Sequence, residues 1–252
     1  MQNALLVGLS RQMALGRELD VVANNIANLD TTGYKADGSL FEEYLGSAAR
    51  AGAGNARVSF VLDRGIWHDM SQGPVQHTGN PLDVAIDGGN AFLVVQTPRG
   101  ERYTRNGALQ INASGQLVTS DGNPVLGEAG PITFQPNDNQ VSISRDGTIS
   151  VREGPAKTDS ARGKLRLVSF DNMQQLQKDG SSTFNVTGGA QPLPATNAGI
   201  AQGAIEKSNV HGVVEMSRMI EITRSYTQIA SLLQQQSDQN TQAIDKLADV
   251  PA

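Results

Sequence analysis

Along the first part of the chain, Leu15, Leu19, Val22, Ile26 and Leu29 recur at alternating intervals of four and three. That spacing is one face of a helix in coiled-coil phase. Leu6, Leu9 and Met13 keep a similar spacing with a small slip of phase, so the apolar face is wide rather than a strict seam. The stripe ends at Asp30-Thr31-Thr32-Gly33, where Gly33 is the natural left-handed residue after a helix. Nothing nearby offers this stripe a partner. At the far end Met219, Ile222, Tyr226, Ile229 and Leu233 repeat the three-four pattern, after Ser208 and Asn209, either of which can cap a helix. Beyond Leu233 the seam becomes polar, and such a helix is marginal alone. Two striped helices at the two ends predict a paired, coiled-coil stalk.

Between them the pattern changes. From Ala36 to about Gly73 no period persists, and Ser47 to Ala56 reads as a flexible connector before one short strand, Val58 to Val61. From Thr78 onward, turn signals come at short intervals: Asp87-Gly88-Gly89, Pro98-Arg99-Gly100, Ser114-Gly115, Asp121-Gly122-Asn123-Pro124 and Arg145-Asp146-Gly147. Short apolar runs lie between them, at 82–86, 91–95, 116–119, 132–134, 141–143, 149–151 and 164–170. This predicts an antiparallel, hairpin-rich barrel or sandwich. The expected class is α+β: helix and turn over 1–35, an extended linker over 36–75, a β domain over 76–190, a returning linker over 191–207, and a helix over 208–252.

Composition narrows the function. Aromatics are 4 % and glycines number 27, which suits turns and short strands, or segments ordered on assembly. The net charge of −5 and the scattered basic residues disfavour nucleic acid. The chain has no cysteine, which removes disulfides, thiolate nucleophiles and Cys metal sites. No apolar run is long enough to span a membrane, and Ala4 to Leu9 is too short and wrongly flanked for a cleaved signal peptide.

Candidate chemistry is thin. His68, His77 and His211 stand far apart and outside any metal-binding spacing, and no phosphate or dinucleotide loop occurs. Asp83, Asp87 and Asp121 could be imagined flanking a glycosidase cleft, yet Asp beside Gly is also what tight turns use. A secreted β-rich carbohydrate-active enzyme and an adhesin therefore stay open as rivals. No catalytic, cofactor or metal residue is assigned.

The motifs carry a more specific reading. Asn24-Asn25-Ile26-Ala27-Asn28 with Thr32-Gly33-Tyr34-Lys35 resembles the N-terminal signature of the bacterial flagellar axial proteins, the rod and hook family. The runs Gly79 to Ile86, Arg102-Tyr103-Thr104-Arg105-Asn106-Gly107 and Gly115 to Val118 are similar to that family's central β segment. Ser208-Asn209-Val210, Glu215-Met216, Met219-Ile220, Arg224 and Tyr226 resemble its C-terminal end. The chain is most similar to proximal-rod members, with distal-rod or hook subunits as the alternative. His211-Gly212, Ala91 and Ala108 depart from the usual pattern. The resemblance implies a non-enzymatic structural subunit of the basal body, delivered unfolded by the flagellar type III export apparatus into the periplasm. It implies other rod subunits as partners, with contacts to the surrounding rings open. Subunit contacts are expected at Leu15, Leu19, Val22, Asn24, Asn25, Ile26, Asn28, Leu29, Gly33 and Tyr34, and at Asn209, Val210, Met216, Met219, Ile222, Tyr226, Ile229 and Leu233.

Overall fold

A computed structural model describes residues 2–45, 59–88, 90–153, 159–180 and 182–248. The expected connector over 47–56 lies outside the described residues. The chain divides into two compact units, one of residues 1–26, 37–67 and 211–252, the other of residues 27–36 and 68–210.

In the second unit, the strand Ala91–Thr97 sits inside a six-stranded antiparallel sheet, between Gly100–Thr104 and Leu167–Ser169. Its successive side chains enter two different cores. Ala91, Leu93 and Val95 join Val84, Ile86, Leu117, Val125 and Ile149, whereas Phe92 and Val94 join Tyr103, Val168, Phe170, Leu176 and Phe184. A strand covered on both faces needs apolar residues at every position, which is why 91–95 is a continuous run without polar alternation. The second core is aromatic: the Phe92 ring meets Phe170 at 6.0 Å and Phe184 at 5.8 Å, both edge to face. A three-stranded sheet, Asp138–Ile143, Thr148–Glu153 and Asp159–Lys164, sends Ile143, Ile149 and Val151 into the first core.

The returning segment completes this unit. Gly199–Gln202 pairs with Val84–Asp87, and Ala204–Glu206 pairs with Val75–His77. Ile200 is buried in the first core. The expected linker over 191–207 therefore contains strands of the β body, because its apolar positions find partners more than a hundred residues upstream, which local patterning does not reveal. The loop-rich stretch after Gln174 likewise holds a hairpin, Leu176–Lys178 with Thr183–Val186.

The first unit contains two long helices, α1 (Gln2–Ala27) and α2 (Gly212–Ala248). A Cβ placed on Gly8 would lie 2.7 Å from the Leu233 Cδ2, the Arg218 guanidinium bonds Glu18 at 2.8 Å, and Asn25 Nδ2 donates to Glu215 at 3.3 Å. These contacts ascend α1 while descending α2, so the helices run antiparallel side by side. The segment expected as an extended linker holds strands Asp37–Leu45 and Ser59–His68, which form a two-stranded sheet with Trp67 lying against Gly38. α2 begins after Ser208 and Asn209. Asn209 is taken up by the β body and Ser208 accepts the Val210 N–H at 3.3 Å, while the first turn closes from Glu215 N–H to the His211 carbonyl.

Candidate functional site

The helices of the first unit are incompletely covered. Ala14, Val21, Val22 and Asn25 on α1 are buried, as is Ile222 on α2. Of the expected seam, Val22 (0 %) and Ile222 (4 %) are enclosed, while Leu15, Leu19, Ile26, Leu29, Met219, Ile229 and Leu233 are half-buried and Tyr226 is exposed. The buried face of α1 is thus turned slightly from the stripe, toward the row Ala14, Glu18, Val21 and Asn25. Meanwhile Leu6, Leu9 and Met13 are exposed on α1, and Val213, Met216 and Ile220 on α2. Val213 is 76 % and Ile220 64 % exposed. These residues follow helical spacing, so each trio forms an apolar row, and a row of this kind marks an interaction surface. A shallow groove beside the α2 row is lined by Met219, Ile220, Thr223, Arg224 and Thr227.

The signature residues split between two jobs. Asn25, 1 % exposed, clamps the backbone of Asp37: its Nδ2 donates to the Asp37 carbonyl at 2.8 Å and its Oδ1 accepts the Asp37 N–H at 2.9 Å. A side-chain amide is the group that can satisfy a backbone donor and acceptor at once, which explains Asn here despite its weak helix propensity. Asn28 closes the turn after α1, accepting the Thr31 N–H on its carbonyl at 3.3 Å and the Thr31 hydroxyl on its Oδ1 at 3.1 Å. Asn24 and Leu29 lie on the exposed and half-buried sides of this region.

Gly33, Tyr34 and Lys35 are seated in the β body. Gly33 has φ +70°, its N–H donates to the Glu206 carbonyl at 2.8 Å, and a Cβ there would lie 2.4 Å from the Arg105 carbonyl carbon. Only glycine fits. The Tyr34 ring is buried beneath the Lys178 ammonium, 3.7 Å from its centroid. Lys35 Nζ donates to Glu206 Oε1 and to the Ser71 carbonyl, both at 2.6 Å, and Arg105 donates to Glu206 Oε2 at 2.8 Å and to the Gly88 carbonyl at 2.8 Å. Burial pushes the Lys35 ammonium below its ordinary pKa, against the opposing pull of the Glu206 carboxylate. Asn209 continues the seat, its Oδ1 accepting the Ala36 N–H at 2.7 Å and its Nδ2 donating to the Asp69 carbonyl at 2.9 Å. Val210 adjoins it, half-buried.

Gly33, Tyr34 and Asn209 thus make contacts inside the subunit. Lys35, Arg105 and Glu206 were not singled out from sequence; the available signal was an acidic residue ending the apolar strand Ala204–Glu206 and two cations inside recognisable motifs. Among the described residues, no group of His, Asp and Glu side chains is placed to hold a metal, and no helix is long and apolar enough to cross a membrane.

Comparison with known proteins matches three stretches of the chain. Residues 5–35 match the family described as flagella basal body rod protein, residues 85–151 the flagellar hook protein FlgE/F/G D1 domain, and residues 201–247 the flagellar basal body rod FlgEFG protein C-terminal. The chain is 40 % identical to the flagellar basal-body rod protein FlgF of Caulobacter vibrioides over 99 % of its own length and 100 % of that protein. It is 35 % identical to FlgF of Mesorhizobium japonicum over 98 % of each, and 32 % identical to FlgG of Buchnera aphidicola over 91 % of this chain and 93 % of that one. Each matched stretch covers one of the regions described above: α1 with its seated turn, the sheet-forming middle, and the returning strands with α2. The chain belongs to the flagellar basal-body rod protein family, is most like FlgF, and is a structural subunit of the rod.

Proposed function

We propose that this subunit polymerises through its terminal helices into the tubular drive shaft of the proximal rod, after passage in unfolded form through the flagellar type III export apparatus to the periplasm. The observation that carries this is the pair of exposed apolar rows on α1 and α2. Antiparallel helices of one subunit would form the coiled-coil unit, and stacking of such units would bury Leu6, Leu9, Met13, Val213, Met216 and Ile220 against neighbours. A heterologous contact that does not close on itself yields a helical tube. The half-buried residues Leu15, Leu19, Ile26, Leu29, Met219, Ile229 and Leu233, with exposed Asn24 and Tyr226, complete the proposed contact surface. The partners are other rod subunits, and the role is mechanical rather than catalytic.

Ile220→Asp tests this reading. The side chain is exposed in the isolated chain, so its melt should move by no more than about 0.5 kcal/mol. In an assembled rod the same carboxylate would be buried without a partner, a cost of several kcal/mol. Normal export, an unchanged melt and no motility are expected. A motile strain carrying Ile220→Asp would contradict the assignment of this face.

A further inference from the structure

Glu206 holds the N-terminal signature twice. Its backbone carbonyl accepts the Gly33 N–H, while its carboxylate takes Lys35 on one oxygen and Arg105 on the other, and also accepts the Gly73 N–H at 3.0 Å. Lys35, Arg105 and Glu206 are all essentially inaccessible to solvent. Two buried cations therefore share one carboxylate, and without it both would be left unpaired.

Apart from Glu206, the strand that carries it sends little apolar area into the interior. Ala204–Glu206 pairs with Val75–His77, a strand exposed at each position, and it brings into the interior only the small side chain of Ala204 besides Glu206 itself. Gly203, with φ +75°, separates it from Gly199–Gln202, which anchors Ile200 in the first core. Gly203 is itself held, its N–H donating to the Asp83 carbonyl and its carbonyl accepting the Thr78 N–H, both at 2.8 Å, so Ala204–Glu206 can come away up to this point while Ile200 keeps its place in the core. Opening would also let water reach Lys35 and Arg105, so release is less costly than retaining two desolvated, unpaired cations.

We propose that Glu206 is a lock that makes seating of the N-terminal signature conditional on arrival of the C-terminal strand. Residues 31–36 and 204–209 dock as one unit onto a body that is already folded. In a chain that emerges N-terminal end first, the signature stays unseated until residue 206 is present. This coupling concerns events within one subunit and does not rest on the assembly reading.

Hydrogen exchange of the full chain tests it. In Glu206→Gln the amides of Gly33, Ala36 and Lys207, bonded respectively to Glu206, Asn209 and Pro74, should exchange about a hundredfold faster. Those of Leu117 and Val125, bonded inside the body, should be unchanged. Adding Lys35→Met should restore part of the lost protection, because it removes one of the two cations that the neutral amide cannot balance and leaves Arg105 as the other. Unchanged exchange at Gly33, equal acceleration at Leu117 and Val125, failure of Glu206→Gln to fold, or failure of Lys35→Met to rescue would each overturn the proposal.

Discussion

The β body and the helical unit use apolar residues in opposite ways. In the body, Phe92, Leu93, Leu117, Ile149 and Leu176 are all enclosed within the same chain, and even the charged groups Lys35, Arg105 and Glu206 find partners there. In the helical unit, Val213, Met216 and Ile220 face solvent. The two cores of the body are thus closed within one chain, with Val75, Ile111 and Leu193 the large apolar side chains left exposed there among the described residues. The helices leave apolar rows uncovered, and that area would supply the driving force for the proposed association.

Mutations should separate the two regions. Phe92→Ala removes a ring packed against Phe170 and Phe184 and should destabilise the body by about 3–5 kcal/mol in urea unfolding. A loss below about 1 kcal/mol would mean that the aromatic core is not as closed as its packing indicates. Gly33→Ala forces a side chain into left-handed backbone and against the Arg105 carbonyl carbon, and should cost about 2 kcal/mol, read as a lower urea midpoint. The smallest effect concerns pH. Hydrogen bonds from the Ser144 hydroxyl and then the Thr148 hydroxyl lower the Asp146 pKa from 3.8 to about 2. A lowered folded-state value means that this stabilisation is complete above pH 3.8 and lost as pH falls through about 2. Asp146→Asn should accordingly flatten the body's stability profile slightly between about pH 5 and about pH 2, as followed by urea midpoints, and an unaltered profile would remove Asp146 from the account.

The sequence was most readable where structure is local. The helical period of α1 was legible, although the helix ends at Ala27 and the left-handed Gly33 serves its bond to Glu206 rather than the helix end, and the turns at Pro98-Arg99, Ser114-Gly115 and Arg145-Asp146-Gly147 fall between observed strands. Less readable was everything joined across the chain. Val75–His77 and Ala204–Glu206 are too short and mixed to signal a strand until they meet, and the paired strands Asp37–Leu45 and Ser59–His68 lack a clean alternation. The site shows the same division. The stripes Leu15 to Leu29 and Met219 to Leu233 were read from spacing, but the exposed row Val213, Met216 and Ile220 lies outside the second stripe, and which positions stay exposed depends on the other helix. The bond of Glu206 to Lys35 and Arg105 depends on three distant charges meeting. Asn25 was visible as part of a motif, yet its clamp on the Asp37 backbone joins positions twelve residues apart through a chain reversal that no local pattern marks.

The α2 row is exposed in the free subunit and is proposed to be covered in the rod. Because the chain has no cysteine, Ile220→Cys supplies a single thiol whose maleimide labelling can be compared in purified monomer and in isolated basal bodies. Rapid labelling of the monomer and strong protection in basal bodies, relieved on denaturation, is the predicted result. Equal labelling rates in the two states would contradict the account.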